Sequence, residues 1–344
     1  MKILLLAPTY LDLYLPVKEE LEKQGNDVFF IEDITPAFYP YYRKNGLKNL
    51  LYKSIHCFRD LDRLYKDFWD AKIADYNLLS HRFDCFICIN GTSLHPYFLE
   101  RLRENNPGII KRLYLWDTNK YYDFERFIHF FDKCYTFDLE DSQIMNISYL
   151  PFYYIDNKDD VKEIYDAFCI GTLHDNRLAI LKCLAKQLDE LSSSYYFKVV
   201  FSPVTLSLKT RVIYYVRSLF ENKTTRLEMK YKLGLLTDNL LTTKIYSLDE
   251  YNSIMKQSRV IIDTDRESQK GLTPRLVWAI ALGKTIITTN KNLLFNPYCP
   301  KKSIWIIDRD NPVIKKEMLV ANDSEVDPKV KELEIGEWVK KFYM

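Results

Sequence analysis

The chain has 344 residues, of which 47% are hydrophobic and 28% are charged, and its formal net charge is +2. This length predicts about two domains with cores of their own, and the composition is that of a folded globular protein rather than a disordered or membrane-spanning one. The near balance of charge gives no support for nucleic-acid binding as a property of the whole chain.

The seven cysteines are scattered and odd in number, which predicts a reducing compartment rather than a disulfide framework. The apolar run at the start of the chain is shorter than a signal peptide or a membrane span requires. We therefore expect a cytoplasmic protein.

The first elements have the pattern of a doubly wound domain. Residues 2–7 predict a buried parallel strand, Leu15 to Gln24 a helix, and Val28 to Ile31 a second strand, and Asp12 lies in the first turn. A strand, helix and strand in this order are typical of a Rossmann-like domain. No G-x-G-x-x-G sequence follows the first strand, so a dinucleotide is not indicated there.

Residues 36–70 mix aromatic side chains with many lysines and arginines, and Leu47, Leu51 and Ile55 fall at helical spacing. An amphipathic, basic and aromatic segment suits contact with an anionic membrane surface. The alternative interpretation is a helix that packs on its own domain and leaves a charged face in solvent.

Polar side chains follow several predicted strands of the first half. His95 comes after the strand from Phe83 to Ile89, and Asp117 comes directly after the strand from Arg112 to Trp116. Parallel α/β sheets bind ligands at this end of their strands. A lone histidine at a helix start is also a common structural residue, so both roles stay open for His95.

A domain boundary is expected after Pro151. The next predicted strand begins at Tyr165 and ends at Gly171, and Thr172 and Arg177 lead into the following helix. The planar guanidinium of arginine binds phosphate oxygens in pairs, and a cation in the first turn of a helix is unfavourable unless an anion is near. Later segments predict strands at 197–201, 244–246 and 303–308 and helices at 211–220, 251–257, 313–320 and 332–342.

The stretch from Arg259 to Asn290 predicts a strand, a polar loop, a buried helix and another strand in direct succession. Pro274 suits the first turn of the helix and Gly283 suits its end. A loop at a helix N-terminus is a ready anion site, and Lys270 and Arg275 add positive charge to it. A phosphate pocket and an ordinary crossover with surface charges both fit this pattern.

The run Gln269-Lys-Gly-Leu-Thr-Pro-Arg275, with Ala279 to Lys284 and Ile286 to Asn290 behind it, resembles the donor-binding region of GT-B glycosyltransferases. The resemblance is strongest to CgeB-type proteins and their relatives in capsule and lipopolysaccharide gene clusters. The middle of the chain is similar as well, with a strand that ends in an aspartate, a pair of Phe-Asp dipeptides and a Leu-Pro exit. The chain departs from that family at Trp278, where a glutamate is usual.

This resemblance implies an α/β protein of the GT-B class, with two Rossmann-like doubly wound domains facing a cleft. Residues 1–155 would bind the acceptor, residues 156–325 would bind a nucleotide-sugar donor, and residues 326–344 would form a helix that packs back on the first domain. The donor-binding residues that it implies are Gly171, Thr172, Arg177, Gln269, Lys270, Gly271, Leu272, Thr273 and Arg275.

The implied activity is transfer of a sugar from a nucleotide-diphosphate donor to a glycan or lipid-linked acceptor in surface polysaccharide synthesis. An inverting enzyme needs a base in its first domain, for which Asp117, then His95, then Asp12 are the candidates. No cofactor and no metal are expected, although Asp263-Thr-Asp265 is an alternative metal site. Trp278 supports a different class of function, a non-catalytic nucleotide- or sugar-binding protein that retains the fold.

Overall fold

A computed structural model describes residues 1–36, 60–119, 122, 124–156, 161–201, 212, 215–216, 223–265, 271–320 and 327–344. The chain divides into two compact units. The first comprises Met1–Tyr154, Gly271–Thr273 and Glu332–Met344, and the second comprises Ile155–Lys270 and Pro274–Lys331. Each unit is built on one parallel sheet of six strands.

The strands follow the apolar runs of the sequence. They are β1 (Lys2–Ala7), β2 (Asp27–Glu32), β3 (Cys85–Ile89), β4 (Ile110–Leu115), β5 (Lys133–Thr136), β6 (Ser148–Tyr149), β7 (Tyr165–Thr172), β8 (Tyr195–Val200), β9 (Leu241–Thr242), β10 (Ser258–Asp263), β11 (Thr285–Thr288) and β12 (Ile304–Ile306). Strands buried on both faces carry continuous apolar runs because helices cover a parallel sheet on each side. β3 is an example, since all five of its residues are buried.

The helices of the described chain alternate with these strands. They are α1 (Leu15–Lys23), α2 (Leu61–Asp75), α3 (Pro96–Asn105), α4 (Glu125–Ile128), α5 (Leu139–Ile144), α6 (Arg177–Glu190), α7 (Lys223–Lys232), α8 (Leu248–Lys256), α9 (Pro274–Ala281) and α10 (Ile335–Tyr343). Within the parts of the chain that the structure describes, none is long and apolar enough to cross a membrane.

The first sheet has the strand order β2-β1-β3-β4-β5-β6. The order changes direction between β1 and β3, so the connections leave these two strands toward opposite sides. α10 completes this unit, because Trp338 on its buried face donates from Nε1 to the carbonyl of Pro151 at 3.0 Å and packs edge-on against Tyr114. Because β1, β3 and β4 are parallel neighbours, their carboxyl ends lie along one edge of the sheet.

The second sheet has the order β12-β11-β10-β7-β8-β9, and its direction changes between β7 and β10. Its apolar core joins Ala167 and Cys169 of β7 to Leu181 and Leu184 of α6 and to Ile262 of β10. The carboxyl ends of β7 and β10 therefore lie side by side at the point where α/β sheets bind ligands.

Two predicted elements are wrong in detail. The strand predicted at Lys244 to Tyr246 is absent, because Lys244 pairs with Glu250 at the start of α8 and Ile245 is 76% exposed. The strand lies instead at Leu241–Thr242. The helix predicted from Val313 to Val320 is a single short turn at Lys316–Leu319. Residues 37–59 and most of the predicted helix at 211–220 lie outside the described residues.

Candidate functional site

The second unit brings several predicted site residues together at the carboxyl ends of β7 and β10. β7 ends at Thr172 and leads through a short loop into α6, while β10 ends at Asp263 and leads toward α9. Gln269 and Lys270, in the second of these connections, lie outside the described residues.

Arg177, the first residue of α6, ties the two strand ends together. Its Nη1 donates to the carbonyl of Thr172 at 2.8 Å, while Nε donates to Oγ1 of Thr264 at 2.7 Å and Nη2 to the carbonyl of that residue at 2.6 Å. The residue is 6% exposed. These carbonyl and hydroxyl oxygens offset the unfavourable position of a cation in the first turn of a helix.

Arg275 makes a second link between β7 and β10, through residues that come earlier in each strand than those bound by Arg177. Its Nη1 donates to Oδ1 of Asp263 at 2.7 Å, its Nη2 to the carbonyl of Ile170 at 2.9 Å, and its Nε to the hydroxyl of Tyr251 at 3.1 Å. The side chain is 10% exposed and that of Asp263 is fully buried. The structure therefore holds Arg275 as a fixed ion pair, whereas the sequence suggests a charged side chain at the loop surface.

The pKa values agree with this arrangement. Burial disfavours the charged form of Arg275, but Tyr251, Cys169 and Asp263 together outweigh burial and raise the pKa of the guanidinium. Burial also raises the pKa of Tyr251 to about 12, against the opposing effect of Arg275. At neutral pH the site thus holds a cationic arginine beside a neutral tyrosine.

Gly171 lies between the two guanidinium groups. A Cβ atom at this position would come within 2.8 Å of Cζ of Arg177 and 2.9 Å of Nη2 of Arg275. Any side chain here would force one or both arginines to move. Glycine leaves room at this strand end for both guanidinium groups to lie against the backbone.

Trp278 is the residue of α9 at which the sequence resemblance implies a glutamate. Its ring is 9% exposed and packs edge-on against the ring of Tyr251, with centroids 5.5 Å apart and planes at 71°. Since Tyr251 in turn accepts a hydrogen bond from Arg275, the indole supports the buried arginine from the helix side.

Arg309 is a further arginine at these strand ends that the sequence did not single out. It follows β12, donates from Nη1 to Oδ1 of Asn176 at 2.9 Å and from Nη2 to the carbonyl of Asp265 at 2.9 Å, and pairs with the carboxylate of Asp265. Thr289 beyond β11 donates to the same carboxylate. One guanidinium thereby joins the connections that follow β7, β10, β11 and β12.

Asp263 and Asp265 are the pair that the sequence offers as an alternative metal site. Thr288 donates to Oδ2 of Asp263 at 3.1 Å, and Arg275 occupies Oδ1, while Arg309 and Thr289 both contact Asp265. Burial raises the pKa of Asp265, against its hydrogen bond from Thr289 and the charge of Arg309. Within the described part of the chain, no group of three or more His, Cys, Asp or Glu side chains could hold a metal ion.

The other predicted donor residues, Gly271, Leu272 and Thr273, belong to the first unit. A Cβ atom on Gly271 would lie 2.6 Å from the carbonyl oxygen of Phe137, so this segment rests closely on the turn after β5. Leu272 is fully buried. Whether these residues contact a donor stays a prediction.

The three candidate bases lie on three connections of the first unit. Asp117 follows β4, and its Oδ2 accepts a hydrogen bond from Nδ2 of Asn90 at 2.7 Å. Asp12 follows β1, is exposed, and has a left-handed backbone with φ of 54°. His95 lies between β3 and α3.

His95 has the contacts of a helix cap. Its ring stacks on Tyr65 with centroids 4.7 Å apart, its Nδ1 accepts from the backbone N–H of Tyr97 at 3.4 Å, and its Nε2 lies 3.4 Å from Asp62. Burial lowers the pKa of the imidazole, against the opposing charge of Asp62. These contacts favour the structural interpretation over that of a base.

No protein-family model matches the chain, and no curated protein matches it. Solved structures do match over nearly its whole length. It is similar to a UDP-forming α,α-trehalose-phosphate synthase from Burkholderia xenovorans, with 10% identity, a TM-score of 0.52, and coverage of 98% of this chain and 94% of that one. It is also similar to an α,α-trehalose-phosphate synthase (UDP-forming) from Burkholderia vietnamiensis. The identity is 11%, the TM-score is 0.51, and the match covers 99% of this chain and 95% of that one.

The chain has the GT-B fold. Its two Rossmann-like units, each with a parallel six-stranded sheet, match those synthases end to end and confirm the predicted fold class. Identity of 10–11% shows the fold and not the activity, because one fold carries many chemistries. The narrower resemblance to CgeB-type proteins stays a prediction.

Proposed function

We propose that the protein is a glycosyltransferase that takes a sugar from a nucleotide-diphosphate donor bound at the carboxyl edge of the second sheet. The observation that supports this most is the convergence of Arg177, Arg275 and Arg309 on that edge, against the two carboxylates of Asp263 and Asp265. Within this group of five side chains, positive charges outnumber negative ones by three to two. The trehalose-phosphate synthases of the same fold are described as UDP-forming.

Transfer of a sugar leaves a nucleoside diphosphate whose oxygens gain negative charge. Prearranged cations and free N–H groups at helix starts stabilise such a leaving group without reorganisation. The N-termini of α6 and α9 adjoin the buried arginines, and Gly171 lets the backbone approach closely. We assign the shape of the crevice to Arg177 and Arg275, and direct contact with the diphosphate to Arg309, whose side chain is 19% exposed.

The acceptor is assigned to the first unit, with a glycan or lipid-linked molecule of surface polysaccharide synthesis as its class. In an inverting reaction Asp117 would take the acceptor proton, because it lies half-buried at the carboxyl edge of the first sheet with one oxygen held by Asn90. Asp12 stays the alternative base. Metal independence and a peripheral membrane contact through residues 36–70 belong to this proposal.

The proposal is tested by calorimetric titration and thermal shift with UDP, GDP, CMP and dTDP and with their sugars. We expect one nucleotide to stabilise the wild-type protein and Arg309→Ala to weaken that binding by about 10-fold or more, the loss expected for a charge-assisted hydrogen bond. Arg259→Ala is the matched control, since Arg259 lies near the start of β10, at the end of the sheet opposite to the proposed donor edge, and pairs with Glu163 and Asp166.

No stabilisation by any nucleotide up to millimolar concentration would contradict the proposal. If Arg309→Ala and Arg259→Ala weaken nucleotide binding equally, Arg309 does not contact the nucleotide, but the proposal that the protein binds a nucleotide still stands. Arg275→Ala is a poor first variant, because it leaves the buried charge of Asp263 unpaired.

A second candidate function follows from Trp278. The indole stands where the resembling family has a carboxylate, and it is occupied in packing against Tyr251. A non-catalytic nucleotide- or sugar-binding protein would bind one of these ligands and never release free nucleotide from a nucleotide sugar. Nucleotide release, measured over hours with the nucleotide sugar that binds, separates the two functions.

A further inference from the structure

The loop that follows β3 in the first unit is held from several sides. The carboxylate of Asp33 accepts hydrogen bonds from the backbone N–H groups of Thr92 at 2.8 Å and Ser93 at 2.9 Å. The indole of Trp69 donates to the carbonyl of Ser93 at 2.9 Å. This loop therefore has one fixed conformation at the carboxyl edge of the first sheet.

The loop begins with two consecutive left-handed residues, Asn90 with φ of 67° and Gly91 with φ of 74°. A Cβ atom on Gly91 would lie 2.8 Å from Sγ of Cys88, so the second position requires glycine. Asparagine and glycine are the residues that tolerate the left-handed region best. The turn itself could therefore be made with glycine at position 90 as well.

The side chain of Asn90 reaches from the end of β3 to the residue that follows β4. Its Nδ2 donates to Oδ2 of Asp117 at 2.7 Å, and Asn90 is 3% exposed. Its Oδ1 is buried and accepts no hydrogen bond from any described residue. A buried acceptor without a donor destabilises a fold, which glycine in this place would avoid.

We propose that Asn90 is a positioning residue that holds Asp117 ready to take the proton of the acceptor. The proposal rests on the proposed function, with Asp117 as its base. The amide fixes one carboxylate oxygen and thereby sets the direction of the other. The turn does not need the side chain of Asn90, so we assign to that side chain the role of holding Asp117.

The acceptor oxygen forms a bond to the anomeric carbon of the donor, and the bond from that carbon to the diphosphate oxygen breaks, with the electron pair leaving on the diphosphate. The acceptor proton moves to the carboxylate of Asp117. Asn90 keeps its hydrogen bond to Oδ2 throughout.

The test is a double-mutant cycle with Asn90→Gly and Asp117→Asn. It measures release of nucleotide from the nucleotide sugar that binds, with water as the acceptor, together with nucleotide affinity and the midpoint of thermal unfolding. We expect Asn90→Gly to lower kcat on the order of 10- to 100-fold, with nucleotide affinity unchanged and the unfolding midpoint equal or higher. In the Asp117→Asn background the same substitution should change kcat less than about 2-fold.

Thr92→Val is the matched control on the same loop, because it removes a hydroxyl that donates to Asp33 at 3.2 Å. It should lower the unfolding midpoint and change kcat by the same factor in both backgrounds.

Each contrary outcome has a distinct meaning. Unchanged kcat in Asn90→Gly, equal losses in both backgrounds, or a lowered unfolding midpoint would overturn the positioning role and leave the proposed function standing. Wild-type protein that binds no nucleotide would overturn the proposed function first. Binding without any release of nucleotide would overturn this inference together with the catalytic role of Asp117.

Discussion

Replacing Arg275 by methionine tests the buried ion pair most severely. The two side chains are 10% and 0% exposed, so Asp263 would keep a buried negative charge with one hydrogen bond, from Thr288. Breaking a buried pair from one side costs about 3–5 kcal/mol, because the remaining charge is left uncompensated. The carbonyl of Ile170 and the hydroxyl of Tyr251 each lose the hydrogen bond from Arg275 as well, although the Tyr251 hydroxyl still lies 3.5 Å from that carbonyl.

For a unit of this size, 1 kcal/mol shifts the unfolding midpoint by about 2–4 °C, so we expect a fall of about 6–20 °C. Calorimetry or circular dichroism during heating measures it. Adding Asp263→Asn to the variant should recover part of the loss, since the unpaired charge is then gone.

Arg259→Ala is the control for this experiment. It breaks two ion pairs at the other end of β10, where the arginine side chain is 40% exposed, and it should cost less than about 1 kcal/mol. Equal effects of the two variants, or a shift below about 2 °C in Arg275→Met, would refute the claim that this pair is a buried structural element.

Three further predictions use the same kinds of measurement. Gly171→Ala should destabilise the second unit by about 1–3 kcal/mol in urea unfolding, because the new Cβ displaces two guanidinium groups; an unchanged midpoint would contradict this. Trp338→Ala should cost about 3–5 kcal/mol, since it empties a 1% exposed site and frees the carbonyl of Pro151, and a loss below about 1 kcal/mol would show that α10 is dispensable. Burial raises the pKa of Asp33 above its ordinary 3.8, against the opposing effect of hydrogen bonds from the loop. The contribution of Asp33 to the free energy of unfolding is therefore full below pH 3.8 and is lost as the pH rises through the pKa of the folded state. The free energy of unfolding of wild type minus that of Asp33→Asn should therefore fall as the pH rises above about 4, and a rise instead would contradict a raised pKa of Asp33.

The sheets could be predicted from the sequence because their strands are short apolar runs with polar ends. Ile3 to Ala7 and Val260 to Ile262 are buried, as their composition indicates. The failure at Lys244 to Tyr246 has the opposite cause. A β-branched residue there suggests a strand, but Lys244 pairs with α8 and Ile245 faces solvent.

The sequence could predict which candidate residues follow the strands of the second sheet but not how their charges are paired. Arg275 lies in the first turn of α9, as Pro274 indicates, yet the sequence could not show that Asp263 and Tyr251 enclose the guanidinium. Arg309 was missed because its partner Asp265 is 44 residues away in the chain and the two meet through the order of the strands. The nearest signal was a charged pair, Asp308 and Arg309, directly after the last strand.

Hydrogen–deuterium exchange with and without the nucleotide that binds is the decisive test of a donor site on the second sheet, because it locates the ligand without any assumption about the reaction. We expect slower exchange in peptides that contain Thr172 to Arg177, Asp263 to Asp265 and Arg309, and no change at the opposite end of the sheet around Arg259. Protection confined to other parts of the chain, despite measurable binding, would contradict a donor site at the carboxyl edge of the second sheet.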